Sequence, residues 1–78
     1  MISLTRMKGI TIRLDARYDV EKETAEYVVN YDGTRLCFGD FKWAACLYKS
    51  LCAELKMGCK MEKRIAILKA MYGEKGVA

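Results

Sequence analysis

The sequence predicts one α+β domain: a three-stranded antiparallel sheet in meander order, covered on one face by a helix and followed by a second helix. Three observations carry this. Apolar and polar residues alternate from Ile10 to Tyr18, the period of a half-buried strand. Asp32-Gly33 lies between two further alternating runs, and such a pair marks a two-residue hairpin, because a type I′ turn needs positive φ at both central residues. Beyond Asp40 the apolar residues recur at helical spacing. The expected order is β-β-β-α-α, in a single domain over 1–78.

The first strand is expected at about 9–18, with residues 10, 12, 14, 16 and 18 on one face and Thr11, Arg13, Asp15 and Arg17 on the other. The polar run Asp19 to Lys22 turns the chain. The second strand, at about 24–31, sets Tyr27, Val29 and Tyr31 on one side, and the third, at about 34–39, does the same with Leu36 and Phe38. A tight turn at Asp32-Gly33 then opposes Tyr31 to Thr34, Val29 to Leu36 and Tyr27 to Phe38, so turn chemistry and apolar pattern agree. A four-residue loop at Asp19 to Lys22 would pair Leu14 with Tyr27, Ile12 with Val29 and Asp15 with Glu26. The last of these opposes like charges.

A sheet with one apolar face needs a cover. Asp40 is a suitable N-cap, and Phe41, Ala44, Ala45, Tyr48, Leu51, Cys52 and Leu55 form the apolar stripe of a helix at about 41–57. Gly58 supplies the left-handed residue that ends it. A second helix, at about 60–72, carries Met61, Ile65, Leu68 and Tyr72 on one stripe. The short joint folds it back against the first. The tail after Gly73 is expected to fray.

The inventory of side chains excludes several chemistries. A chain of 78 residues is too short to enclose a roomy cleft, since so small a domain buries only about 60% of its unfolded surface. It has no histidine, which removes the commonest general base and the commonest metal imidazole. Neither Ser3 nor Ser50 lies in a Gly-x-Ser-x-Gly elbow, and no phosphate-binding Gly-Lys loop is present. Cys37, Cys46, Cys52 and Cys59 form no Cys-x-x-Cys pair, so no metal and no cofactor is expected, and the thiols read as reduced and mostly buried. The chain is read as non-enzymatic. Its longest apolar run, Trp43 to Tyr48, is far short of the ~20 residues of a membrane span, and Met1 to Lys8 lacks the apolar block of a secretory signal. A cytoplasmic protein without a membrane partner is expected.

Charge points to partners. Residues 1–39 hold six basic and six acidic groups, whereas residues 40–78 hold eight basic and four acidic, so the net charge of +4 lies in the helical half. Lys42, Lys49 and Lys56 are seven apart, hence on one helix face, with Lys60 and Lys63 following. Such a strip tracks phosphates or meets an acidic protein, unless it is simply a solvated face. Trp43 sits about 130° from the centre of the apolar stripe. The second helix is expected to cover it; left uncovered, it would be an aromatic anchor for a partner.

The meander followed by a helix, with Tyr31-Asp-Gly-Thr-Arg-Leu-Cys-Phe-Gly-Asp-Phe41 leading into Ala44-Ala45, resembles the DNA-binding domains of the Apetala/ethylene-response-factor type and the arm-binding domains of tyrosine integrases. The similar stretch runs from about Gly9 to Lys56. The resemblance implies a sheet that lies in the major groove, with Arg13, Arg17 and Arg35 contacting bases and phosphates. This sequence departs from the pattern in lacking a tryptophan on the second strand and in placing Asp15 and Glu26 among the arginines. In size and plainness, the chain also resembles the small phage proteins that block host nucleases, anti-CRISPR proteins among them. That implies a partner that is a nucleic-acid-processing protein complex rather than DNA, met through the lysines and Trp43. Homodimerisation is compatible with either.

Overall fold

The computed structural model describes residues 2–73. It is α+β, with β1 (Ser3–Met7), β2 (Ile10–Asp19), β3 (Thr24–Tyr31), β4 (Thr34–Phe38), α1 (Phe41–Lys56) and α2 (Glu62–Tyr72). The four strands form one antiparallel meander in the order β1-β2-β3-β4. The sheet therefore has four strands where the sequence reading expects three.

The additional strand escapes the pattern because its polarity is inverted. Ser3, Thr5 and Met7 face the helices while Leu4 and Arg6 face outward, so alternation within Ser3–Met7 gives no clear apolar side. The turn that makes it is Lys8-Gly9, with φ of 53° and 76°. This is the same all-positive geometry as Asp32-Gly33, at 46° and 95°, and each is a two-residue type I′ hairpin. Lys8 also reaches across the fold: its Nζ donates to the carbonyl of Leu55 at 2.9 Å, where a cation offsets the negative end of α1.

The β3–β4 register is the expected one, with Tyr27 opposite Phe38, Val29 opposite Leu36 and Tyr31 opposite Thr34. The β2–β3 register is shifted by two. Ile12 meets Tyr31, Leu14 meets Val29 and Arg17, rather than Asp15, meets Glu26. The Asp19 carboxylate accepts from the amides of Glu21 and Lys22, and Glu23 takes a positive φ of 53°. Together these place the four-residue loop at Val20–Glu23. Because strands have period two, a shift of two keeps every side chain on its face. It also replaces an unfavourable carboxylate pair by an Arg17–Glu26 ion pair at 2.8 Å.

Both helices lie on the inner face. Ile12, Val29, Leu36 and Leu51 are the largest fully buried side chains, joined by Leu14, Phe38, Ala44, Tyr48, Leu55, Met61 and Leu68. Asp40 caps α1 by accepting from the Lys42 amide. At the other end, the amides of Gly58 and Cys59 bond the carbonyls of Leu55 and Glu54, the Schellman pattern, with Gly58 left-handed at φ 83°.

The second helix begins at Glu62, later than expected, and packs on β4 instead of mainly on α1. Its tie to α1 is the Arg64–Glu54 pair at 3.2 Å. The ring of Tyr72 lies 4.8 Å from that of Phe38, so α2 runs back along the sheet, antiparallel to α1. Gly73 then forms a β-bridge with Leu36, closing part of the β4 edge. A Cβ at position 73 would collide with the Lys69 carbonyl. Gly73→Ala is expected to cost about 1–3 kcal/mol and to speed amide exchange at the end of α2, which exchange mass spectrometry reads. The tail expected to fray lies outside the described residues.

Among the tyrosines, Tyr31 and Tyr48 are buried, Tyr27 and Tyr72 half-buried and Tyr18 exposed. Tyr48 shares a hydrogen bond of 2.5 Å with Thr5. Burial raises the pKa of both Tyr31 and Tyr48 above the ordinary 10.0. Raised values hold the neutral phenol in the fold. Their contribution to stability is therefore complete below pH 10 and is lost as the pH rises through the folded-state values. Denaturant midpoints should fall as the pH passes about 10. Tyr48→Phe should flatten part of that fall while lowering stability by about 1 kcal/mol at neutral pH, through the lost Thr5 bond.

Candidate binding surfaces on two faces

The candidate residues separate onto opposite faces of the molecule. Arg13, Arg17 and Arg35 project from β2 and β4 on the outer sheet face, whereas Lys42, Trp43, Lys49 and Lys56 ride on α1 in the helical layer. Lys60 stands in the joint before α2, and Lys63 in its first turn. No single interface of this small domain holds all nine.

The sheet face is a shallow bowl of about 310 Å³ lined by Arg13, Asp15, Arg17, Val28, Asn30 and Arg35. Its floor is Val28, which is 3% exposed although it lies on the outer face. Arginine stems that flank an aliphatic side chain shield it while their guanidinium groups stay wet. These arginines are engaged within the fold. Arg13 pairs with Asp15 at 3.3 Å and Arg17 with Glu26 at 2.8 Å. Arg17 also lies 3.8 Å from the Cys37 sulfur, and Arg35 too has an intramolecular partner. Arg6, on the outer side of β1, extends this face; it is not among the contacts expected from the sequence, because the inverted polarity of Ser3–Met7 hides the strand that carries it.

The helical face is different. Lys42, Lys49 and Lys56 fall within about 40° of one another around α1. They occupy the solvent flank away from Glu54, the residue that reaches α2. All three are exposed, as are Lys60 and Lys63. Among the described residues none of the five forms an ion pair. α1 has no acidic residue in its first turn, so the strip keeps its charge.

Trp43 is 55% exposed, so α2 does not cover it. The reason is the docking of α2: packed over β4, it leaves the outer part of the α1 flank open, and Leu47 is only half-buried. Ile67 and Met71 on α2 are also exposed, at 61% and 64%. By helical spacing, Trp43 shares the flank of α1 that carries Glu54, and Ile67 and Met71 the flank of α2 that carries Arg64, the two residues that tie the helices.

The cysteines correct another expectation. Cys46 and Cys59 are exposed, while Cys37 and Cys52 are half-buried, so the thiols are not mostly buried. Among the described residues no three His, Cys, Asp or Glu side chains are grouped to hold a metal ion, and no helix is long and apolar enough to cross a membrane. A larger cavity, about 630 Å³ and open to solvent, lies where Ile10, Tyr31, Leu55, Met61 and Ile65 meet below the α1–α2 joint.

Comparison with protein-family models, curated proteins and solved structures finds no match to this chain.

Proposed function

We propose that this protein is a small, basic, non-enzymatic binding module that docks on nucleic acid, DNA in the first instance, through the lysine strip of its helical face. One contrast carries the reading. The arginines of the sheet face are engaged inside the fold, whereas Lys42, Lys49, Lys56, Lys60 and Lys63 are exposed and lack ion pairs among the described residues. Phosphate binding gains from releasing counterions, and an exposed lysine supplies that without first breaking an internal pair. The resemblance to sheet-reading DNA-binding domains favours the other face. The Asp15 and Glu26 carboxylates beside the arginines weigh against it, because they repel a phosphate backbone.

Titrating a DNA duplex against the protein at several salt concentrations tests this. Replacing Lys42, Lys49 and Lys56 by Gln should make the slope of log affinity against log salt shallower by about 2.7, at roughly 0.9 per phosphate contact. Replacing Arg13, Arg17 and Arg35 by Ala should change the slope little. The opposite result would move the interface to the sheet, and no DNA binding at low salt would end the nucleic-acid reading.

A second reading has its own observation, the exposed Trp43 with Ile67 and Met71 on the neighbouring helix. Such an apolar flank beside a basic strip suits an inhibitor that occludes a nucleic-acid-processing enzyme, burying about 800 Å² per partner around a few anchors. Trp43→Ala would then abolish partner binding and leave DNA affinity unchanged.

A further inference from the structure

We propose that two copies of this chain join edge to edge through β1, antiparallel about Thr5, to form one eight-stranded sheet. The two edges of the sheet are not treated alike. The β4 edge carries the Leu36–Gly73 bridge and lies under α2, while among the described residues nothing pairs with the outer side of β1. An uncovered edge is a template for another strand, and natural edges are usually blunted by proline, bulges or inward charges. Within Ser3–Met7 there is no proline, and the charged residue, Arg6, points to the outer face.

The register follows from the backbone. Met7 and Ile10 flank a two-residue turn, so they form a hydrogen-bonded pair. Alternation then directs the backbone groups of Thr5 and Ser3 toward β2, and those of Leu4 and Arg6 toward the free edge. Ile2 is not available, because its amide donates to the Leu14 carbonyl at 2.8 Å. A dyad through Thr5 sets Leu4 against Arg6 of the second copy, and Arg6 against Leu4 of the second copy. All the outward groups of both residues are then bonded, and no like charges are opposed. A dyad through Arg6 would oppose two arginines, and one through Leu4 would need the Ile2 amide. Leu4 and Ile2, 41% and 45% exposed, would gain cover from the neighbouring arginine stems.

The helices permit this arrangement. With α1 over β2 and β3 and strands about 4.8 Å apart, the two α1 axes would stand roughly 20 Å apart across the dyad. The lysine flank of α1, turned away from α2, would face its counterpart. Two chains of charge +4 repel, so the dimer should tighten as salt rises, the reverse of DNA binding. The opposite salt trends keep this inference independent of the nucleic-acid reading.

Sedimentation equilibrium of the full chain, at several salt concentrations and without DNA, tests it. A monomer–dimer equilibrium that strengthens with salt is expected. Leu4 is exposed, so substitutions there should leave the thermal melt intact. At fixed salt, Leu4→Glu should tighten the dimer and Leu4→Arg should loosen it, each by about two- to thirtyfold because every change acts twice across the dyad. A protein monomeric up to millimolar concentration would overturn the proposal. So would a dimer that ignores both substitutions, or one that responds to them alike.

Discussion

Leu51→Ala should destabilise the protein by about 2–5 kcal/mol, the range for a leucine deleted from a packed core. Leu51 is fully buried at the centre of α1, and α1 is the element that touches all four strands. Its removal opens a cavity between helix and sheet, where Ile12, Val29 and Leu36 are also inaccessible. Small domains hold only about 5–15 kcal/mol in total, so the loss is a large share and should show as a fall in the denaturant midpoint. Ala53, exposed two residues further along the same helix, is the control. Ala53→Ser should change the stability by no more than about 0.5 kcal/mol and so leave the midpoint close to the parent's. A Leu51→Ala protein that unfolds like its parent would mean that α1 does not cover the sheet.

The second large effect concerns salt. If all five lysines of the helical face contact phosphates, log affinity for duplex DNA should fall with a slope near −4.5 against log salt, at roughly −0.9 per contact. A fourfold rise in salt would then weaken binding about 500-fold. A protein held to DNA by sheet arginines would keep that slope when the lysines are replaced, and lose it when Arg13, Arg17 and Arg35 are. Non-specific affinity of about 10⁻⁴ to 10⁻⁶ M at physiological salt, unaffected by either set, would leave the exposed Trp43 and a protein partner as the better account.

How far the sequence is legible differs by element, for physical reasons. The β2, β3 and β4 strands and both helices announce themselves because each buries one apolar side, and burial imposes a period. The Asp32-Gly33 turn fixes the β3–β4 register without help. The β2–β3 register is off by two because it depends on where a polar loop closes, and the Asp19 side chain and the left-handed Glu23 decide that. β1 is hidden because the face it turns to the helices carries Ser3 and Thr5. Thr5 is tolerated there because Tyr48 offers it a hydroxyl partner, a contact 43 residues away in the chain that no local pattern announces.

The candidate residues follow the same division. Heptad spacing is enough to align Lys42, Lys49 and Lys56, since helix geometry is local. Which charges remain uncompensated is not local. Arg17 is paired because β2 and β3 slide to bring Glu26 opposite it, and the lysines of α1 are not, because they ride on the flank away from Glu54, whose carboxylate is taken by Arg64 of α2. The exposure of Trp43 was likewise decided by where α2 docks. By itself, the sequence determined strands β2 to β4, the Asp32-Gly33 turn, the two helices, their inward faces and the aligned lysines, all of which follow from backbone periodicity and turn stereochemistry. Tertiary structure alone decided the fourth strand, the β2–β3 register, the seat of α2 on β4 and the separation of arginines from lysines onto opposite faces, because each depends on side chains brought together from distant parts of the chain.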